Sequence, residues 1–144
     1  MSGPRLLVLG EKPRRILATA LGRSWEITVA HDGSEALTLL AAESFDVAFL
    51  ADEGGAQHID ADFVQAAHQV APETEIVTVS HLRLGSWLPG ECPPDVYGFL
   101  TWPLDSELVV RTLRGAVERR RLRAEIEYLR AELRRRVGIR DVAS

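Results

Sequence analysis

The sequence predicts an α/β fold, an open doubly wound sheet of five parallel strands with helices on both faces. Three observations carry this expectation. Short apolar segments of strand character alternate with segments of helical spacing along residues 5–104. Val47–Ala51 is continuously apolar, as suits a strand buried on both faces of a parallel sheet. Trp25–Ala30 instead alternates, with Trp25, Ile27 and Val29 against Glu26 and Thr28, the pattern of a half-exposed edge strand.

Taken in order, Arg5–Leu9 is the first strand, and Pro13 suits the first turn of a helix continuing through Ile16, Leu17, Ala20 and Leu21 until Gly22. After the Trp25 strand, Asp32 and Glu35 have capping-box spacing and Ala36, Leu37, Leu40 and Ala41 follow at helical intervals. Val47–Ala51 ends abruptly in Asp52-Glu53-Gly54-Gly55. Asp60 or Asp62 can cap a third helix bearing Phe63, Val64, Ala67 and Val70, which Pro72 terminates before a strand at Glu75–Ser80. A fourth helix is due next, but His81–Asp95 contains Gly85, Pro89, Gly90, Pro93 and Pro94, so at best one turn is expected there. Val96–Thr101 makes the fifth strand, Pro103 breaks it, and Leu104 starts the longest helix. Ligands of such sheets bind beyond the carboxyl ends of the strands, here Gly10-Glu11, Ala51-Asp52, Ser80-His81 and Thr101-Trp102.

Composition narrows the classes. The chain has 144 residues, 46% of them apolar and 26% charged, as expected of one globular core. The longest apolar run is the five residues Val47–Ala51, too short to span a bilayer, and no signal peptide opens the chain; a cytoplasmic location and no membrane partner are expected. A lone Cys92 offers neither an internal disulfide nor a Cys-rich zinc site. It has no sequence-local base, and Gly54-Gly55 reads only as a turn. His31, His58, His68 and His81 lack compact metal-ligand spacing and read as solvated or locally hydrogen-bonded. No metal site, cofactor or glycine-rich nucleotide motif is expected. The net charge of −4 is uneven: residues 1–104 hold 6 basic and 14 acidic side chains, and residues 105–144 hold 11 and 7, which suggests an acidic body followed by an element with another task.

Four stretches resemble the bacterial response-regulator receiver domain. They are Leu7-Val8-Leu9-Gly10-Glu11-Lys12-Pro13, Ala30-His31-Asp32-Gly33-Ser34-Glu35-Ala36-Leu37, Phe45-Asp46-Val47-Ala48-Phe49-Leu50-Ala51 and Gly98-Phe99-Leu100-Thr101-Trp102-Pro103-Leu104-Asp105. The likeness implies a flavodoxin-like (CheY-like) fold with strand order 2-1-3-4-5, the Trp25 strand lying at an edge.

The resemblance also implies a phosphorylation pocket, and here this chain departs from the pattern. Working receivers take phosphate on an aspartate ending the third strand, hold magnesium with acidic residues after the first, and complete the site with a Thr or Ser and a Lys. The acceptor position falls on Ala51, the lysine on Trp102, and the acidic pair on Gly10 and Glu11. Ser80 alone fits. Ala51 has no oxygen to accept a phosphoryl group, and one remaining carboxylate suits magnesium poorly. Asp52 reads as a solvated loop acid; the competing readings are a phosphoacceptor reached by a one-residue slip, and a local electrostatic role in the altered pocket. A slip would turn the buried faces of the strand inside out. Glu11 reads as a surface carboxylate or helix N-terminal charge rather than a magnesium ligand, and Trp102 as a packing residue, or as a ring covering the cavity left by the lysine. Ser80 and Phe99 hold the family's switch positions; Phe99 alternates with Tyr97 and reads as simple core.

From Ser106 to Val137 there is no proline and only Gly115, so a helix of about thirty residues is expected to outrun the domain. Leu108, Val109, Leu113, Ala116 and Val117 can pack on the sheet. Leu122, Ile126, Leu129 and Leu133 recur at intervals of 4, 3 and 4, a coiled-coil seam implying a homodimer. Glu118 with Arg121, Arg121 with Glu125, Arg123 with Glu127 and Glu132 with Arg136 are spaced for helical ion pairs. The interspersed acids make Arg119-Arg120-Arg121 read as a solvated face rather than a nucleic-acid contact. The division expected is a receiver-like domain at 1–121 and a linker helix with tail at 122–144. This helix and the tail Val137–Ser144 resemble the linker of NtrC-like sigma-54-dependent activators leading to their AAA+ domain. The function expected is a non-enzymatic pseudo-receiver and dimerisation module governing an output domain, with a possible regulatory protein partner. Its competitors are a divergent receiver phosphorylated at Asp52 and a stand-alone protein-binding adaptor.

Overall fold

The computed structural model describes residues 3–52, 59–80 and 96–137. Its strands are β1 (Arg5–Leu9), β2 (Glu26–Ala30), β3 (Val47–Ala51), β4 (Glu75–Ser80) and β5 (Val96–Thr101), all parallel in the order β2-β1-β3-β4-β5. This is the expected architecture, with β2 at one edge. Helices α1 (Glu11–Leu21), α2 (Gly33–Ala42), α3 (Ala61–Val70) and α4 (Ser106–Val137), with one 3-10 turn at Gly22–Ser24, complete the described elements. The stretch 81–95, with the expected degraded fourth helix, Cys92 and His81, lies outside the described residues, as do Gly54, Gly55, His58 and the tail 138–144.

Strand alternation splits the core into two layers. Leu6, Val8, Val47, Phe49, Ala51, Val77, Val79 and Leu100 meet Leu17 and Leu21 of α1 and Val109, Leu113 and Ala116 of α4. Leu7, Leu9, Ala48, Leu50 and Ile76 face Ala36 and Leu40 of α2 and Val64 and Ala67 of α3. Every residue of β3 is buried, which explains its continuous apolarity: both faces of a central strand are covered by helices.

Caps fall where the sequence places them. Asp32 accepts from the Glu35 backbone N at 2.8 Å, while Glu35 reaches back to the His31 backbone N at 2.6 Å. Asp60, not Asp62, caps α3, accepting from Phe63 N at 2.8 Å. The last helix begins at Ser106 rather than Leu104, because the Asp105 carboxylate accepts from Glu107 N at 3.1 Å and its carbonyl accepts from Val109 N at 2.9 Å. Within that helix Leu108 is 45% exposed; it falls outside the stripe Val109, Leu113 and Ala116 that meets the sheet.

Phe99 is also not core: it is 40% exposed. The cause is a bulge, since Ile76 pairs with Val96 but Val77 pairs with Gly98, leaving Tyr97 as an extra residue. The insertion breaks the two-residue alternation, so Tyr97 packs on the α1/α4 layer with Leu100 while Phe99 turns to the other face. Close approach of α4 follows. A Cβ on Gly115 would stand 2.2 Å from the Tyr97 hydroxyl, and one on Gly98 2.9 Å from Thr112 Cγ2.

Candidate functional site

The carboxyl ends of β1, β3, β4 and β5 bring Gly10, Glu11, Ala51, Asp52, Ser80 and Trp102 to one edge of the sheet. Gly10 follows β1 with φ 110° and donates from its backbone N to Ala30 O at 3.0 Å. That left-handed backbone strains any residue with a Cβ, so an aspartate at this position is disfavoured by conformation as well as absent. Glu11 opens α1 on the surface and accepts from Arg14 Nε at 2.8 Å. The Arg14 hydrogen bond holds its carboxyl below the ordinary 4.5. It is a surface carboxylate in an i,i+3 pair.

Ala51 is wholly buried, and its methyl belongs to the apolar layer beneath α1 and α4. Asp52 is 5% exposed rather than solvated. Its backbone N donates to Val79 O at 2.8 Å and its Oδ2 accepts from Ile59 N at 3.2 Å. The side chain thus ties the residue after β3 to the start of the α3 segment, which removes it from water. Ser80, 7% exposed, pairs with Thr101 across the β4/β5 ladder.

Trp102 links these ends. Its backbone N donates to Ser80 O at 3.2 Å, and its indole Nε1 reaches across β4 to donate to Asp52 O at 2.9 Å. Its ring packs on the same apolar layer as Ala51, and Lys12 Nζ lies 4.7 Å from the ring centroid. Position 102 therefore carries a half-buried ring with a cation stacked on it. The Trp102–Pro103 peptide is cis. Sequence reasoning named the six pocket positions but not Lys12, whose role depends on where the indole lies. Among the described residues no group of three or more His, Cys, Asp or Glu could hold a metal ion.

The opposite, amino-terminal edge of the sheet holds a second cluster that was not anticipated. Glu75, at the start of β4, is 1% exposed, with Arg123 Nη1 at 3.0 Å and Arg119 Nε at 3.6 Å from its Oε2. Arg120 donates to Asp46 Oδ1 at 3.0 Å and to Glu73 O at 3.2 Å. Arg119, Arg120 and Arg123 thus fasten α4 to the domain instead of forming a solvated face, while Arg121 stays on the surface as expected, paired with Glu118. Arg123 takes Glu75 instead of Glu127. The spacings Glu118 with Arg121 and Glu132 with Arg136 do form, at 3.6 and 4.0 Å. Beyond this latch Leu122, Ile126, Leu129 and Leu133 are 48%, 48%, 55% and 59% exposed.

No helix among the described residues is long and apolar enough to cross a membrane. No family model matches the sequence, and no curated protein matches it. Solved structures do. A structure described as adenylate cyclase from Rhodopirellula baltica superposes with TM-score 0.75 at 18% identity, over 88% of this chain and 96% of that one. The signal receiver domain of an HD domain-containing protein from Pseudomonas fluorescens Pf-5 gives 0.72 at 23%, over 87% and 94%. NtrX from Brucella abortus gives 0.74 at 20%, over 89% of this chain but 30% of NtrX. The strand order, the covering helices and these likenesses agree, and the chain has the CheY-like fold of response-regulator receiver domains.

Proposed function

We propose that this chain is a receiver-type signalling module that works without aspartyl phosphorylation and acts on output machinery through its long helix. The observation that carries the reading is Ala51: at the acceptor position of the receiver pattern stands a methyl group with no exposed surface, built into the core beside Trp102. Phosphoryl transfer needs a nucleophilic oxygen in line with the donor, and none projects from that position. Asp52 is engaged by Ile59 N and lies below the surface, which opposes its use as a substitute.

The role proposed is a cytoplasmic regulator of the NtrC type, acting with sigma-54, in which residues 1–121 form the sensing domain and 122–144 lead toward an output domain. The likeness to NtrX, of which the match occupies 30%, supports an attached output domain. The exposed seam Leu122, Ile126, Leu129 and Leu133 supports homodimerisation through α4.

The test is incubation of the full chain with magnesium and acetyl phosphate, followed by intact mass. No added phosphoryl mass is expected. A stable adduct that disappears in Asp52→Ala would overturn the reading.

A further inference from the structure

The seam on α4 has an orientation written in its flanking charges. Placing Ile126 and Leu133 at a, and Leu122 and Leu129 at d, puts Glu118, Glu125 and Glu132 at every g position, and Arg123 and Arg130 at the e positions. In a parallel pair each g residue faces the e residue five places on in the partner chain. In an antiparallel pair g faces g and e faces e. The second arrangement sets Glu against Glu and Arg against Arg; the first sets Glu118 against Arg123 and Glu125 against Arg130. β-branched Ile at a with Leu at d also favours two strands.

Register follows from the apolar layers. Aligned helices stack all four, Leu122, Ile126, Leu129 and Leu133, each on its own copy. A slip of one heptad leaves Leu122 on Leu129 and Ile126 on Leu133, and sets Leu129 against Arg136 and Arg119 against Ile126.

The fold leaves this face open. At about 100° per residue, the seam lies roughly 135° around α4 from the stripe Val109, Leu113 and Ala116 that packs on the sheet, so a second helix can seat without displacing the domain. The charges are ready as well. Among the described residues Glu125 makes no ion pair, and Arg130 has only Glu127 at 3.8 Å, whereas Arg123 is held by its own Glu75 at 3.0 Å.

We infer that the occupant of the seam is a second copy of this chain, its α4 parallel and in register, with Glu125 of each copy paired to Arg130 of the other. This rests on the dimer proposed above and specifies its geometry. The two Val137 residues then lie side by side, so that whatever follows each helix begins next to its twin.

The experiment measures self-association of the full chain by light scattering and sedimentation. Leu129→Arg tests the seam, and Glu125→Arg, Arg130→Glu and the double exchange test the orientation. Positions 125 and 130 are exposed in the single chain, so these exchanges leave the domain folded. Each single exchange reverses two symmetry-related pairs and is expected to weaken the dimer about threefold to tenfold. The double exchange restores the parallel pairing and is expected to return affinity to within about twofold of the original. Leu122→Cys in a Cys92→Ser background is expected to link two copies on mild oxidation, since only parallel aligned helices bring these positions together.

Single exchanges without effect, or a dimer that Leu122→Cys fails to link, overturn the parallel register while a monomeric Leu129→Arg keeps the seam. A Leu129→Arg chain that still dimerises, a chain that stays monomeric at all concentrations, or a mass showing a different protein on the seam overturns the proposed homodimer itself.

Discussion

Oε2 of Glu75 lies 3.0 Å from Nη1 of Arg123, forty-eight residues further along the chain, on a side chain only 1% exposed. The contact joins the first residue of β4 to the point where α4 leaves the domain. With Arg120 on Asp46 and Glu73 O, it sets the direction in which the remaining helix projects. Ala124–Val137 adds about 21 Å of helix beyond this latch at 1.5 Å per residue.

Removing the cations leaves a buried carboxylate uncompensated, which costs more than removing the charge itself. Arg119→Ala with Arg123→Ala is therefore expected to lower stability by about 2 to 3 kcal/mol, at the low end for buried pairs because both arginines are half-exposed. Glu75→Gln, which retains shape and leaves no buried charge, is expected to cost about 1 kcal/mol. Urea unfolding separates the two; equal midpoints for all three proteins would show that the latch contributes nothing.

Trp102 holds three strand ends through one backbone bond and one indole bond. Trp102→Phe keeps an aromatic ring but removes the donor to Asp52 O, and is expected to lower stability by about 1 kcal/mol. Trp102→Lys restores the residue type of the receiver pattern at the expense of the packed ring and is expected to cost about 2 kcal/mol. It still should accept no phosphoryl group from acetyl phosphate, because Ala51 remains without a nucleophile. Thermal unfolding and intact mass check both parts, and phosphorylation of the Lys variant would show that the cation alone was missing.

Gly115 is a mid-helix glycine that an alanine ought to improve by about 1 kcal/mol on helix propensity alone. The Tyr97 hydroxyl, 2.2 Å from the place a Cβ would occupy, reverses that expectation. Gly115→Ala is expected to destabilise by about 1 to 3 kcal/mol through overpacking. Adding Tyr97→Phe removes the obstructing oxygen and is expected to recover most of the loss. A Gly115→Ala protein more stable than the original would show that Tyr97 moves aside freely.

Much of this protein was legible along the chain. Strand and helix periodicities, the Asp32 and Asp60 caps and the apolar run of β3 each report on neighbours within a few residues, so Val47–Ala51 announces its double burial without any knowledge of what covers it. That Ala51 carries no nucleophilic oxygen and Trp102 no ammonium group was equally plain, since a functional group is a property of the residue itself.

What only the tertiary structure decided depends on residues far apart in sequence. The bulge at Tyr97 exists in the pairing of β5 with β4, so alternation alone put Phe99 in the core. Asp52 reads as a loop acid until Ile59 N and Trp102 close around it. Arg119, Arg120 and Arg123 look like a solvated helix face until the fold brings Glu75 and Asp46 beneath them. A side chain's chemistry is local to the sequence, but its burial and its partner are set by where the backbone carries it.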